Sequence, residues 1–139
     1  MLIQLTYASR VGPLVGPADV KDILRSSQRN NAQVGVTGAL CLSNGIFLQY
    51  LEGDRAAVNR LYHRILKDPR HSDPAVLDFG EITSRRFVSW TMGLVATTQD
   101  NQNLFLKYST TKDFNPYAMS PGTLRAFFAE VLDNTRWLE

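Results

Sequence analysis

A single cysteine, Cys41, stands in a chain of 139 residues. An internal disulfide is therefore excluded, and the thiol content suits a reducing compartment. No apolar run approaches the roughly 20 residues that a membrane-spanning helix needs. Met1 leads straight into an alternating segment, without the basic and apolar stretches of a secretory leader, so a cytoplasmic protein is expected. Charge of one sign is also lacking. The 15 basic and 13 acidic residues leave a net charge of +2, which argues against nucleic acid or an anionic membrane as partner. Arg85-Arg86 is the only dense basic spot in the second half. There is no G-x-G-x-x-G and no P-loop, hence no familiar phosphate cradle. His63 and His71 lack the spacing of metal ligands and read as helix-surface or turn residues, so no metal is expected. Cys41 has no evident His partner and reads as a buried thiol; Ser43 and Ser89 have no triad context.

What is present suffices for one domain with a real core: 44% of residues are hydrophobic, including seven Phe, five Tyr and two Trp. Residues 2–8 alternate, with Ile3, Leu5 and Tyr7 on one face. Pro17 and Asp19 open a helix whose stripe is Val20, Ile23, Leu24, Ser27 and Asn31. Residues 36–43 read as a strand, and Asn44-Gly45 joins it as a hairpin to the strand 45–53. Asp54 caps a second helix with the stripe Val58, Leu61, Tyr62 and Ile65, stopped by Pro69. Strands are predicted near 76–83 and 90–97. The order β-α-β-β-α-β-β is a ferredoxin-like βαββαβ unit with an added fifth strand, an α+β fold. Right-handed crossovers place both helices on one face of a mixed five-stranded sheet. The other face needs a cover. A short helix with Leu104, Phe105 and Tyr108, then an amphipathic one with Leu124, Phe127, Phe128, Val131 and Leu132, can supply it. The predicted organisation is thus a ferredoxin-like unit over 1–97 and a helical extension, 98–139, on the back of the sheet.

Gln49 stands out against this pattern. It shares a strand face with Phe47 and Leu51, so its amide is expected to be buried. An unsatisfied buried amide costs roughly 1–3 kcal/mol, so Gln49 requires a partner. Its fork, an acceptor at one tip and donors at the other, can reverse roles without changing shape. Tyr7 lies on the Ile3/Leu5 face, and Asn31 ends a core-facing helical stripe with Asn30 beside it. Singly, each has an ordinary reading: a rim phenol, a helix cap, a satisfied core amide. Arg64 is ordinarily a solvated charge, and Trp90 and Met92 ordinary core. Together, Tyr7, Gln49 and Asn31 would converge between the two helices, a gap suited to a flat, hydrogen-bonding heteroaromatic.

Several stretches resemble the flavin-binding blue-light sensor domains called BLUF: Leu5-Thr-Tyr7-Ala-Ser9, Gln28-Arg-Asn30-Asn31, Gly35-Val-Thr-Gly38, Phe47-Leu-Gln49-Tyr-Leu-Glu-Gly53, Tyr62 through His71, and Arg86-Phe-Val-Ser-Trp90-Thr-Met92. The segment from Leu106 to Ser109, with Phe114, Pro116 and Met119, resembles the short stand-alone PixD-type members. The resemblance implies a non-covalent FAD, with FMN or riboflavin as alternatives, between the two helices. Tyr7 would be its redox partner, and Gln49 would bridge Tyr7 to the flavin edge. Asn31 and Asn30 would hold the pyrimidine side, with Ile23 and Ser27 of the same helix also in the cofactor site. Arg64 would reach the O2 side. Asp68 would contact the ribityl chain or an adjacent charge. Trp90 and Met92, on the fifth strand, would carry the signal. A sensor without a catalytic output domain must act through contacts, so a downstream, response-regulator-like signalling protein and a homo-oligomer are the implied partners. Two rival readings stand beside this one. An acylphosphatase-like hydrolase would need an anion loop at Arg10-Val-Gly12-Pro13. A cofactor-free interaction module would use the amides only to pin register.

Overall fold

The computed structural model describes residues 1–12, 15–88, 92–95, 99–134 and 137–138. Among these residues, six strands and four α-helices follow in the order β1 (Leu2–Val11), α1 (Pro17–Val34), β2 (Thr37–Ser43), β3 (Ile46–Asp54), α2 (Arg55–Ile65), β4 (His71–Glu81), β5 (Gly93–Val95), α3 (Gln99–Lys107), α4 (Pro121–Asn134) and β6 (Trp137–Leu138). A 3-10 turn, Pro116–Ala118, precedes α4. The sheet order is β4-β1-β3-β2-β5-β6. The first four strands pair antiparallel and β2 pairs parallel with β5, which is the expected double-split arrangement with its added strand.

Local chemistry sets the boundaries. Pro17 lies in the first turn of α1, where its missing N–H is harmless, and the Gly16 N–H donates to Asp19 Oδ2 at 2.9 Å. The helix runs to Val34, past the predicted end near 31, because the left-handed stop comes only at Gly35, with φ 70°. Asn44 and Gly45 both have positive φ, 55° and 70°, as a two-residue hairpin turn demands. The Asp54 carboxylate accepts the Ala56 N–H at 3.3 Å and so caps α2.

Each sheet face carries its own core. On the front, Ile3, Leu5, Tyr7, Leu40, Phe47 and Leu51 pack against Leu24 of α1 and Val58 of α2. On the back, Ala8, Cys41, Leu48 and Tyr50 pack against Phe105, Leu124, Phe127 and Phe128 of α3 and α4. Phe105 stacks on Phe114 at 4.9 Å, and Phe127 meets Phe128 edge-on at 5.1 Å. Cys41 is fully buried there.

Three predictions need correction. β4 begins at His71, not near 76. It is the edge strand, which tolerates Pro74 and an exposed polar face, so its alternation is weak. Among the described residues the fifth strand is Gly93–Val95, and Met92 sits in a bend just before it instead of within the strand. The two-residue β6, paired with β5, was not foreseen. Ser89, Trp90, Thr91, Ala96 and Thr97, with the side chain of Leu132, lie outside the described residues. Among the described residues, no helix is long and apolar enough to cross a membrane.

Two glycines separate steric from conformational cost. A Cβ on Gly38 would lie 1.9 Å from the Tyr50 carbonyl oxygen across β2–β3, whereas one on Gly35 would meet nothing within 4 Å but would strain a φ of 70°. In urea unfolding of the full chain, Gly38→Ala is expected to cost about 3 kcal/mol and Gly35→Ala about 1 kcal/mol.

Candidate functional site

β1 and β3 are antiparallel neighbours whose register sets Tyr7 directly opposite Gln49. Both face the front, and both are buried, at 4% and 3% exposure. The Tyr7 hydroxyl donates to Gln49 Oε1. Gln49 Nε2 donates to Met92 Sδ at 3.4 Å. The Met92 carbonyl accepts from Gln28 Nε2 of α1 at 3.1 Å. On the other side, the Tyr7 ring lies 5.4 Å from that of Tyr62 on α2, tilted by 55°. A continuous line of contacts therefore runs from α1 to α2 through Gln28, Met92, Gln49, Tyr7 and Tyr62. Burial, with smaller contributions from Tyr62 and Asp68, pushes the Tyr7 phenol well above its ordinary value of 10.0. The phenol is thus held neutral, with its hydroxyl proton directed at a fixed acceptor.

A second group lies beyond the end of α2. The Arg70 guanidinium grips Asp68, with Nη2 to Oδ2 at 2.6 Å and Nε to Oδ1 at 3.0 Å, and reaches Asp22 of α1 at 3.4 Å. This pairing holds the Asp68 carboxyl below the usual carboxylate range. His71, read from sequence as a helix-surface or turn residue, is instead the first residue of β4, its ring edge-on to Phe47 at 6.4 Å. Burial lowers its pKa, opposed by the nearby Asp68 charge. His71 Nδ1 and the fully buried Ser9 Oγ have no hydrogen-bond partner among the described residues.

The remaining sequence candidates divide clearly. Asn31 is fully buried on α1, one turn beyond Gln28, while Ile23, Ser27 and Asn30 are half-buried on the same helix. Asp68 meets an adjacent charge, Arg70. Arg64 is exposed in the last turn of α2 and has no ion pair among the described residues, whereas Arg70 is half-buried and paired with Asp68. Met92 joins the line of contacts; Trp90 lies outside the described residues. Gln28, Tyr62, Arg70 and His71 were not among the site residues expected from sequence. Tyr62 was visible as part of the α2 stripe, but Arg70 and His71 follow Pro69, which reads as a stop.

The hydrolase reading fails on backbone geometry. The Val11 N–H donates to Gly45 O at 2.9 Å and the Gly12 N–H to Arg70 O at 3.0 Å, so neither can cradle an anion. The Arg10 guanidinium lies 5.1 Å over the Tyr117 ring. Among the described residues, no cluster of His, Cys, Asp and Glu could hold a metal.

Residues 2–93 match the family profile described as BLUF, sensors of blue-light using FAD. The chain belongs to the BLUF family. It is 40% identical over 92 residues to the photoactivated adenylate cyclase subunit beta of Euglena gracilis, covering 66% of this chain and 11% of that protein. The chain thus spans a small part of the length of such curated relatives. Among solved structures, it resembles BlsA in its photo-activated state (TM-score 0.91, 29% identity, 100% of this chain and 99% of that one). The BlsA ground state gives a TM-score of 0.90 at 29% identity, covering 100% of this chain and 92% of that one. BlrB, a BLUF protein in its dark state, gives 0.65 at 31% identity over 94% of this chain and 81% of that one. The BLUF domain is a flavin-based blue-light sensor.

The residues of the front face fit a flavin. Its apolar walls would come from Leu24, Phe47 and Val58, which pack in the front core, and Gln49 and Asn31 have buried amides that could meet its polar edge. Ser9 Oγ and His71 Nδ1 are buried polar atoms on the same face that find no hydrogen-bond partner among the described residues, a deficit that a polar ring edge would meet.

Because the folded pKa of Asp68 is depressed, its contribution to stability is full above the ordinary value of 3.8 and fades as pH falls through the lower folded value. Asp68→Asn is therefore expected to lower stability at neutral pH by about 1 kcal/mol. The gap to wild type should close as pH falls below 3.8, which urea unfolding across acid pH measures.

Proposed function

We propose that this chain senses blue light through a hydrogen-bond switch centred on Tyr7 and Gln49, with FAD held non-covalently on the front face between α1 and α2. The observation that carries this reading is the bonded line Tyr7–Gln49–Met92. In the proposed site Asn31 and Asn30 hold one edge of the ring, Ile23 and Ser27 line it from α1, and Asp68 with Arg70 stands toward the polar tail. Arg64, exposed at the rim, suits the more solvated part of the ligand. Residues 1–97 act as the sensor and 98–139 as its cover.

When bound, the flavin supplies light absorption and accepts one electron at a time. Tyr7 gives up one electron and its hydroxyl proton after excitation, then recovers both. Its hydroxyl proton already points at Gln49 Oε1, so the first link of a path for that transfer is in place. While Tyr7 lacks its proton, it can only accept, and the Gln49 amide is free to turn end for end. That half-turn brings Nε2 to the Tyr7 oxygen and Oε1 toward Met92 Sδ. Two acceptors then face each other, so Met92 loses its bond and must move. Its carbonyl is tied to Gln28 of α1, and β5 begins at the next residue. The displacement therefore reaches α1 and the β2–β5–β6 side of the sheet together. Two states separated by a few kcal/mol suffice for such a switch. The exposed surface near β5 and the C-terminal helices is where a downstream signalling protein, of response-regulator type, or a second copy of the chain would read it. A cytoplasmic setting fits the single, buried cysteine.

Purified protein is expected to be yellow and to show a reversible red shift after blue illumination. Tyr7→Phe and Gln49→Leu should each retain flavin and show no lasting red shift. A normal photocycle in either variant would remove the switch.

A further inference from the structure

Three residues beyond Gln49 on β3, Glu52 is fully buried on the opposite face of the sheet, beside Gln4 of β1 and Thr37 of β2. A carboxylate at such a position needs strong partners. It has them, and they are backbone. The Arg86 N–H donates to the two carboxylate oxygens at 2.6 and 2.7 Å. The Phe87 N–H donates to Oε1 at 2.8 Å. Burial raises the pKa of Glu52, and these two amides oppose the rise. Arg85 reinforces the grip: Nη1 donates to Thr37 Oγ1 at 3.0 Å and to the Glu52 carbonyl at 3.3 Å, and Nη2 to Gly35 O at 2.7 Å. Phe87 is fully buried against Tyr50, in the back core.

This knot holds one end of a short tether. Five residues after Phe87, the chain has reached the front core and delivers Met92 to Gln49. Such a segment reaches at most about 17 Å. Downstream, β5 is fixed to β2 by Ala39–Gly93 and Leu40–Leu94 pairing. Upstream, the hold is Glu52, on the strand that also carries Gln49. Both ends of the Met92 segment are therefore referenced to the same sheet.

We propose that Glu52 is a positioning residue for the light response: by holding the amides of Arg86 and Phe87, its carboxylate sets where Met92 rests on Gln49. The proposal builds on the switch reading above, yet it makes a claim about the dark protein that stands apart from photochemistry. Glu52 acts through the chain; on the opposite face of the sheet it touches none of Tyr7, Gln49 or Met92.

The test is Glu52→Gln, which keeps the volume and offers one acceptor oxygen where the carboxylate offers two. The chain has three methionines, Met1, Met92 and Met119, so methyl-labelled methionine gives a simple NMR spectrum. In the dark, flavin-loaded variant, the Met92 methyl resonance should move while that of Met119 stays. Flavin content and the dark absorption spectrum should match wild type. Recovery from the lit state should slow at least threefold, because Met92 must reseat from a tether no longer held upstream. In a Met92→Leu background, Glu52→Gln should add no further slowing. Arg85→Gln, at a half-buried position, should shift the same resonance in the same direction by less, and decides the matter if Glu52→Gln does not fold. An unmoved Met92 resonance in a folded variant would overturn the proposal. So would a recovery effect that persists in full without Met92. If wild type shows no red shift, the switch reading falls, while the methyl resonance still decides whether Glu52 sets Met92.

Discussion

Tyr7 and Gln49 meet because two central strands fix their register, and no loop has to close to bring them together. β1 and β3 each have a partner on both sides. A slip of one residue would send Gln49 to the back of the sheet, among Leu48, Tyr50 and the phenylalanines of α3 and α4, where its amide would find hydrocarbon. The register of β3 against its other neighbour, β2, is held by the left-handed Asn44-Gly45 turn and by the close approach of Gly38 to Tyr50. The site is therefore specified by the sheet before any helix or ligand contributes, and α1 and α2 add walls to a pair already in place.

The two faces of that sheet are built for different demands. The back is closed by interlocked rings, Phe105 on Phe114 and Phe127 on Phe128, which leave few alternative packings. The front mixes hydrocarbon with buried amides, a phenol, a hydroxyl and a thioether. Groups of that kind can exchange partners at small cost. A switch needs one rigid reference and one adjustable layer, and the division of core residues between the faces supplies both. Gln4, Thr6, Thr37, Glu52 and Asp78 are polar exceptions on the back, and Glu52 holds the amides of Arg86 and Phe87 upstream of Met92.

Most of the fold was legible because it rests on periodicity. Alternation in residues 2–8, the Asn44-Gly45 turn and the Val58, Leu61, Tyr62, Ile65 stripe each encode an element in a few adjacent residues. β4 was read short because an edge strand is free to carry Ser72, Asp73 and Pro74, which erase the alternation. β6 consists of two residues and has no periodicity to read. In the site, Gln49 and Asn31 were visible as polar residues on apolar faces, and Tyr7 by its parity with Ile3 and Leu5. Gln28 was not, since it lies off the α1 stripe and acquires meaning only when Met92 arrives from 64 residues away. Arg70 and His71 were hidden behind Pro69. The suggestions for Arg64 and Asp68 came from family resemblance; no local pattern distinguishes a surface arginine on a helix from one at a ligand rim.

The strengths of the contacts around Met92 follow a physical order. A carboxylate accepting two backbone N–H groups, as Glu52 does, makes charge-assisted bonds of the strong kind. The bond from Gln28 to the Met92 carbonyl is an ordinary neutral one. The bond from Gln49 to the Met92 sulfur is weak, because a thioether is a poor acceptor. Replacing that sulfur by a carboxylate would bind the Gln49 amide more tightly and hold it in one orientation, since the turned amide would set two oxygens against each other. A hydrocarbon would leave Nε2 with nothing to lose on turning. The thioether lies between these limits: it prefers one orientation of the amide, yet by little enough that transient loss of the Tyr7 proton can reverse the preference. The chain is thus gripped hardest where the sheet must hold it and most lightly where the amide must be able to let go.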